Sequence, residues 1–469
     1  MGKITSAYIF PHPPVIIPEV GRGDEKRASE TINAVNLAAE TIREEKPGTI
    51  ILTTPHGPVF QDYVYISASE RLAGDLGRFG RSDVKLEFEN NTRLVEGIIR
   101  HAGEEDILAG GMEEELASKY RISRELDHGA LVPLYFINKA LKGFKLVHIA
   151  IAGLPFTDLY RFGMCISRAV EETDEQVVFI ASGDLSHRLS SEGPYGYSPE
   201  GEKFDRLLID SIESLDVEKL LSVDEDFCES AGECGLRSFI MMLGAFDGFG
   251  LKSSIYSYEG PFGIGYAVAR LENTGPDNGR SILARVEAAT AENISDIRGG
   301  ESPYVKLARH ALETYVSEGT VVKTPGGLPA EMLDGRAGVF VSLKKQGQLR
   351  GCIGTTAPTR ENIAREIIYN AISSGTQDPR FNPVEEDELS RLVYSVDVLK
   401  DPEPIKSMDE LDVIKYGVIV KCKGRSGLLL PNLEGVDTPE KQVSIALQKA
   451  GIRPDEDYRM ERFEVVRYK

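Results

Sequence analysis

Cysteine is scarce and scattered in this chain of 469 residues: five, at positions 165, 228, 234, 352 and 422, with no C-x-x-C pair. An odd, dispersed set excludes a disulfide framework and a zinc ribbon, and makes a reducing cytoplasm the expected setting. Long apolar runs are missing too. No stretch approaches the ~20 residues that span a bilayer, and Met1-Gly2-Lys3 leads straight into a strand-like segment without a signal-peptide core. Positive charge is in short supply: 54 Lys and Arg against 74 Asp and Glu give a net charge of −20. So acidic a chain is expected to bind neither nucleic acid nor a membrane surface. Its acidic excess, as in Glu113-Glu114-Glu115, is dispersed and reads as solvated surface. There is no internal repeat and no low-complexity tract.

What is present is ample for folding, with 41% apolar and 27% charged residues, and the length implies two or three domains. Residues 1–272 alternate strand and helix signals. Strands are predicted at 4–10, 49–53, 146–152, 177–181, 254–258 and 265–271. Helices are predicted at 28–45, 204–215 and 236–245, from apolar residues at helical spacing. The expected fold class is therefore α/β, with a largely parallel sheet flanked by helices. Breaker clusters at 273–279 and 298–300 flank a short helix-compatible piece, so residues 273–300 are read as a linker. Ser302-Pro303 is a strong helix start. Residues 301–469 mix strands (338–344, 392–399, 417–422) with helices (361–374, 439–450) less regularly. A smaller α+β domain is expected there.

Four of the seven histidines fall in loops after apolar runs or in Gly- and Pro-rich turns. They are His12 in Pro11-His12-Pro13-Pro14, His56 in Pro55-His56-Gly57-Pro58, His128 in Asp127-His128-Gly129, and His187 in Ser182-Gly183-Asp184-Leu185-Ser186-His187. Carboxyl ends of strands in α/β folds are where ligands bind, and neutral imidazole is the commonest metal ligand. Two histidines with one carboxylate make a facial triad that suits ferrous iron. The same donors also suit zinc or manganese, as in a hydrolase. Taken alone, each histidine could simply be bonded to backbone. His148 inside an apolar run reads as a satisfied core residue. His101 and His310 read as exposed helix residues.

The four motifs in this order resemble the class III (LigB-type) extradiol ring-cleavage dioxygenases, over residues 1–270. The resemblance implies that His12, His56 and a carboxylate near residue 233 bind Fe(II), that His187 is the acid–base catalyst, and that His128 acts from beside the metal. It implies a small aromatic diol and O2 as the reactants. The third ligand is open between neighbours: Glu233, the preferred one, would give the oxygenase triad. Cys234 would give a softer thiolate site, as in the related Memo family. Side chains of adjacent residues diverge, so only one of the two faces the metal. Asp184 reads as orienting His187 or another loop group, or as closing a turn, and Glu259 stands as a reserve carboxylate beside the pocket.

Residues 300–469 resemble the AMMECR family through Leu349-Arg350-Gly351-Cys352-Ile353-Gly354 and Asp378-Pro379-Arg380-Phe381. The first motif reads as a loop, presenting a cation and a thiol or else burying the cysteine. The pairing of both halves is similar to the AmmeMemoRadiSam system protein A arrangement, which implies radical-SAM and Memo-type protein partners. The chain lacks the three clustered cysteines that a radical-SAM cluster needs.

Overall fold

The computed structural model describes residues 1–345, 347–433 and 435–469. It divides into two units, Met1–Val286 and Glu287–Lys469. The first is built on a six-stranded sheet in the order Lys145–Ala150, Thr49–Thr54, Gln176–Ser182, Lys3–Phe10, Tyr266–Pro276, Phe249–Glu259. The first four strands run parallel, and the last two are antiparallel additions at one edge. The parallel strands are apolar on both faces because helices cover both. Alternate side chains therefore feed different cores. Tyr8, Phe10, Ile50, Leu52, Val178 and Ile180 pack toward helices Ser29–Glu45 and His128–Ala140. Ile9, Ile51 and Phe179 face the other way, toward Thr92–Glu104, Phe156–Glu171 and Leu236–Gly244.

Two segments differ from the sequence reading. The presumed linker begins inside a strand, since Tyr266–Pro276 keeps its pairing with Phe249–Glu259 as far as Pro276↔Phe249. It continues into the nineteen-residue helix Ile282–Gly300. Asp247 Oδ1 accepts from the Ile282 and Leu283 amides at 2.8 and 3.2 Å, tying the start of that helix to the first unit. The second is the hairpin Arg71–Leu76/Arg81–Glu89, which sequence reasoning passed over. Its exposed polar residues outnumber the buried Leu72, Leu76 and Phe88.

The second unit is an antiparallel sheet ordered Gln348–Gly354, Val339–Lys345, Leu392–Leu399, Arg459–Tyr468, Tyr416–Cys422, Arg425–Leu429. Helices Pro303–Glu318 and Ile363–Thr376 share a core with Val339, Val341 and Val396. Ser302 caps the first of them through the Val305 amide. The Arg350-Gly351-Cys352 motif is not a loop but part of strand Gln348–Gly354. Gly351 is required there because a Cβ would lie 2.1 Å from the Ser374 carbonyl oxygen. Arg350 is committed to Glu388, at 3.1 and 2.8 Å. The Cys352 amide donates to Asp378 Oδ2 at 2.9 Å, and Arg380 closes on the same carboxylate at 2.7 Å. The two motifs are thus strapped to each other. Among the described residues no helix is long and apolar enough to cross a membrane.

Candidate metal centre

Three neighbouring strands, Thr49–Thr54, Gln176–Ser182 and Lys3–Phe10, end side by side. Just past those ends the chain delivers His56, the 183–187 loop and His12. His12 is buried, His128 half-buried and His56 exposed, and one nitrogen from each ring lies within 4.8 Å of the others. His12 Nε2 and His56 Nε2 are 2.9 Å apart. Bonds of about 2.1 Å meeting at a right angle on one cation place their donors about 3 Å apart. The spacing fits a shared divalent ion.

The state of His12 follows from its neighbours. Ser182 Oγ donates to the Gly129 carbonyl at 2.5 Å, so its lone pairs face His12 Nδ1, 2.9 Å away. Nδ1 therefore carries the proton, and the Nε2 lone pair is directed at the cluster. An outer hydrogen bond of this kind fixes the tautomer of a metal-binding imidazole. Burial, with His56 beside it, holds the His12 pKa well below its usual value, so the ring is neutral and available. Burial and the same two rings push His128 down to about 3. Replacing Ser182 with alanine is expected to weaken metal affinity by about 10–100-fold. Equilibrium metal titration checks this, and wild-type affinity would contradict the tautomer argument.

Glu233 and Cys234 separate as adjacent side chains must. Cys234 Sγ stands 3.6 Å from His12 Nε2. The carboxylate preferred from sequence is placed elsewhere: Glu233 Oε2 accepts from the Leu236 amide at 2.7 Å, at the start of helix Leu236–Gly244. The reason is backbone packing. Gly183 lies against Gly235 so closely that a Cβ on Gly183 would be 2.2 Å from the Gly235 Cα. That approach lets the Asp184 amide donate to Cys234 Sγ at 3.4 Å, holding the thiol toward the histidines. Gly183→Ala is expected to cost about 1–3 kcal/mol through overpacking and to loosen metal binding. Denaturant unfolding with metal titration measures both, and full wild-type stability would contradict the packing account.

Burial lifts the Glu233 carboxyl to about 7, opposed by the Leu236 amide. Its folded value lies above the unfolded one, so this group's stabilising contribution is complete below about pH 4.3 and disappears as pH rises through 7. Glu233→Gln is expected to flatten that fall, worth about 2–3 kcal/mol in the metal-free protein. Unfolding at pH 5 and 7.5 tests it, and an identical pH slope in both proteins would count against it.

Asp184 serves another loop group, His12. Its Oδ1 accepts the His12 amide at 2.8 Å, and its Oδ2 lies 3.8 Å from His12 Nε2. Burial raises its pKa to about 6, against the pull of that amide. Asp127 caps helix His128–Ala140 and accepts from Thr54 Oγ1 at 2.7 Å, with His148 Nε2 at 3.1 Å from its other oxygen. His148 is thus a buried partner of the His128 turn, bonded on its far side to Ser67 Oγ. His187 presents a buried Nε2 with no hydrogen-bond partner, and the Tyr195 ring lies 5.1 Å from it. Burial lowers its pKa, while Asp184 acts to raise it. Glu259, the reserve carboxylate, is engaged by the Thr31 amide and hydroxyl at 2.6 and 2.7 Å. His101 is not exposed but buried, between Glu104 and Glu172 at 2.8 and 3.0 Å. His310 is exposed.

Residues 6–269 match the family model described as the catalytic LigB subunit of aromatic ring-opening dioxygenase. The chain belongs to the LigB family. Residues 305–469 match the AMMECR1 family model, so the chain fuses a LigB domain to an AMMECR domain. A Clostridium acetobutylicum protein is 47% identical over 468 residues, covering 100% of this chain and 99% of its own length. A Thermotoga maritima protein is 54% identical over 172 residues, 36% of this chain and 99% of that protein. A crystal structure of an uncharacterised Pyrococcus horikoshii protein is 35% identical, covering 35% of this chain and 88% of that one, with a TM-score of 0.33.

Proposed function

We propose that the LigB domain is an Fe(II)-dependent dioxygenase that opens the ring of a catechol-like diol, with His12 and His56 as metal ligands and His187 as the proton-transfer group. The observation that carries this reading is the buried, unpartnered Nε2 of His187, on the loop that also brings Asp184 to His12. A buried polar atom without a partner costs stability unless a ligand satisfies it. Fe(II) would supply Lewis acidity toward the diol and the one-electron chemistry that O2 requires. His187, neutral because its pKa is lowered, takes the hydroxyl proton at Nε2. Stacked on His56 at 4.2 Å, His128 closes one side of the centre with Phe79 against it at 5.3 Å. These rings offer an aromatic surface beside the centre.

The placement of Cys234 favours a second reading: a Memo-like metal-binding module, without ring cleavage, that serves radical-SAM and Memo-type partners. Anaerobic loading with Fe(II), followed by O2 and a panel of catechols, separates the two. The first reading expects a yellow ring-opened product with at least one diol. Full iron occupancy with no diol consumed would favour the second.

A further inference from the structure

The loop that carries His187 is fixed on both sides of that residue. The Leu185 amide donates to the Gly265 carbonyl, and the Gly265 amide to the Ser186 carbonyl, both at 2.8 Å. Ser186 Oγ donates to the Ala231 carbonyl at 2.8 Å and accepts the Arg188 amide at 3.0 Å. One anchor differs in kind. The Ser186 amide donates at 2.8 Å to Oδ1 of Asp205, a buried carboxylate in helix Pro199–Ser214. Oδ2 of the same group accepts from the Tyr258 hydroxyl at 2.7 Å. Gly265 makes room for it, since a Cβ there would stand 2.1 Å from Asp205 Oδ2 and 3.0 Å from the Leu185 Cβ. Among the described residues Asp205 has no ion pair, and the neighbouring charge that acts on it, Glu202, has its own sign. Burial raises its pKa to about 6, opposed by the Ser186 amide and the Tyr258 hydroxyl.

A buried carboxylate without a cation is costly to keep, and a backbone amide needs no charge to be satisfied, since a carbonyl would serve. What the charge adds is stiffness, because a hydrogen bond to an ionised acceptor is about twice as strong as a neutral one. His187 Nε2 has no hydrogen-bond partner, so the place of the ring depends on the backbone beneath it. Resting on the ring-cleavage reading, we propose that Asp205, braced by Tyr258, is a positioning residue: it holds the Ser186 peptide and through it sets where His187 Nε2 stands. A proton-transfer group works within hydrogen-bond reach of the atom it serves, and a displacement of about 1 Å can cost about a hundredfold in rate.

The test is a double-mutant cycle on the Fe(II)-loaded protein, with a diol that the wild type opens. Asp205→Leu keeps the branched shape and removes both acceptors, whereas Asp205→Asn keeps one oxygen for the Ser186 amide. Asp205→Leu is expected to lower kcat about tenfold to a hundredfold at wild-type KM and iron content, with Asp205→Asn close to the wild type. In the His187→Ala background Asp205→Leu is expected to cost nothing further, because the group it serves is gone. A folding defect lowers the rate in both backgrounds, so the cycle isolates positioning. Should the leucine variant not fold, Asp205→Ala takes its place. Equal losses in the two backgrounds, an unaltered kcat in Asp205→Leu, or an Asp205→Asn as slow as Asp205→Leu overturns the inference and leaves the ring-cleavage reading standing. Should no diol be opened, that reading falls, and the NMR ring resonances of His187 in metal-free, histidine-labelled protein decide this one. Resonances shifted in Asp205→Leu but not in Asp205→Asn support it. Resonances unmoved in Asp205→Leu, or moved alike in both, overturn it.

Discussion

His187→Ala is expected to slow ring opening by about 10²–10⁴-fold, the usual worth of a positioned acid–base group, while Fe(II) occupancy stays at the wild-type level. The two readouts diverge because the unpartnered His187 Nε2 offers a proton site, whereas the cluster of mutually close ring nitrogens consists of His12, His56 and His128. The pH profile adds a directional check. Only neutral imidazole accepts a proton, and burial lowers the His187 pKa below 6.5. The acid limb of the rate should therefore fall below pH 6.5 in the wild type and vanish in His187→Ala. A limb centred above 7, or one retained in the variant, would assign the proton transfer to another group.

The larger effect belongs to the metal ligands. Removing an outer hydrogen-bond partner of a bound imidazole costs about 10–100-fold in affinity, so deleting His12 or His56 should cost more than about a hundredfold and abolish activity. Between the contested neighbours the expectation is asymmetric. Cys234→Ser should weaken iron binding, because Sγ stands 3.6 Å from His12 Nε2. Glu233→Gln should change stability and its pH slope before it changes iron content, since its carboxylate serves the Leu236 amide. Iron lost only in Glu233→Gln would show that the loop rearranges around the metal to bring the carboxylate in.

The sheet and the histidine loops were legible because apolar runs end in Pro and Gly at each of the strand ends that matter. Thr49–Thr54 and Gln176–Ser182 are buried along nearly their whole length, and each carries a short apolar run, Ile50–Leu52 and Val177–Ala181. The choice between Glu233 and Cys234 was not legible. It depends on the contact of Gly183 with Gly235, a meeting of backbones about fifty residues apart. Which loop group Asp184 holds was hidden for the same reason, since its partner is a backbone amide 172 positions away. His101 looked exposed because its helix is strongly amphipathic and rich in charge. Its ring turns inward between two carboxylates that only the packed helices bring together. In the second unit, glycine in Arg350-Gly351-Cys352 looked like a loop signal. It marks instead the close passage of a strand over Ser374.

Anomalous diffraction at the iron edge, on crystals of the Fe(II)-loaded protein, tests the central claim most directly. A single peak within about 2.3 Å of both His12 Nε2 and His56 Nε2 is expected. An iron-saturated crystal whose peak lies away from those two nitrogens would contradict it.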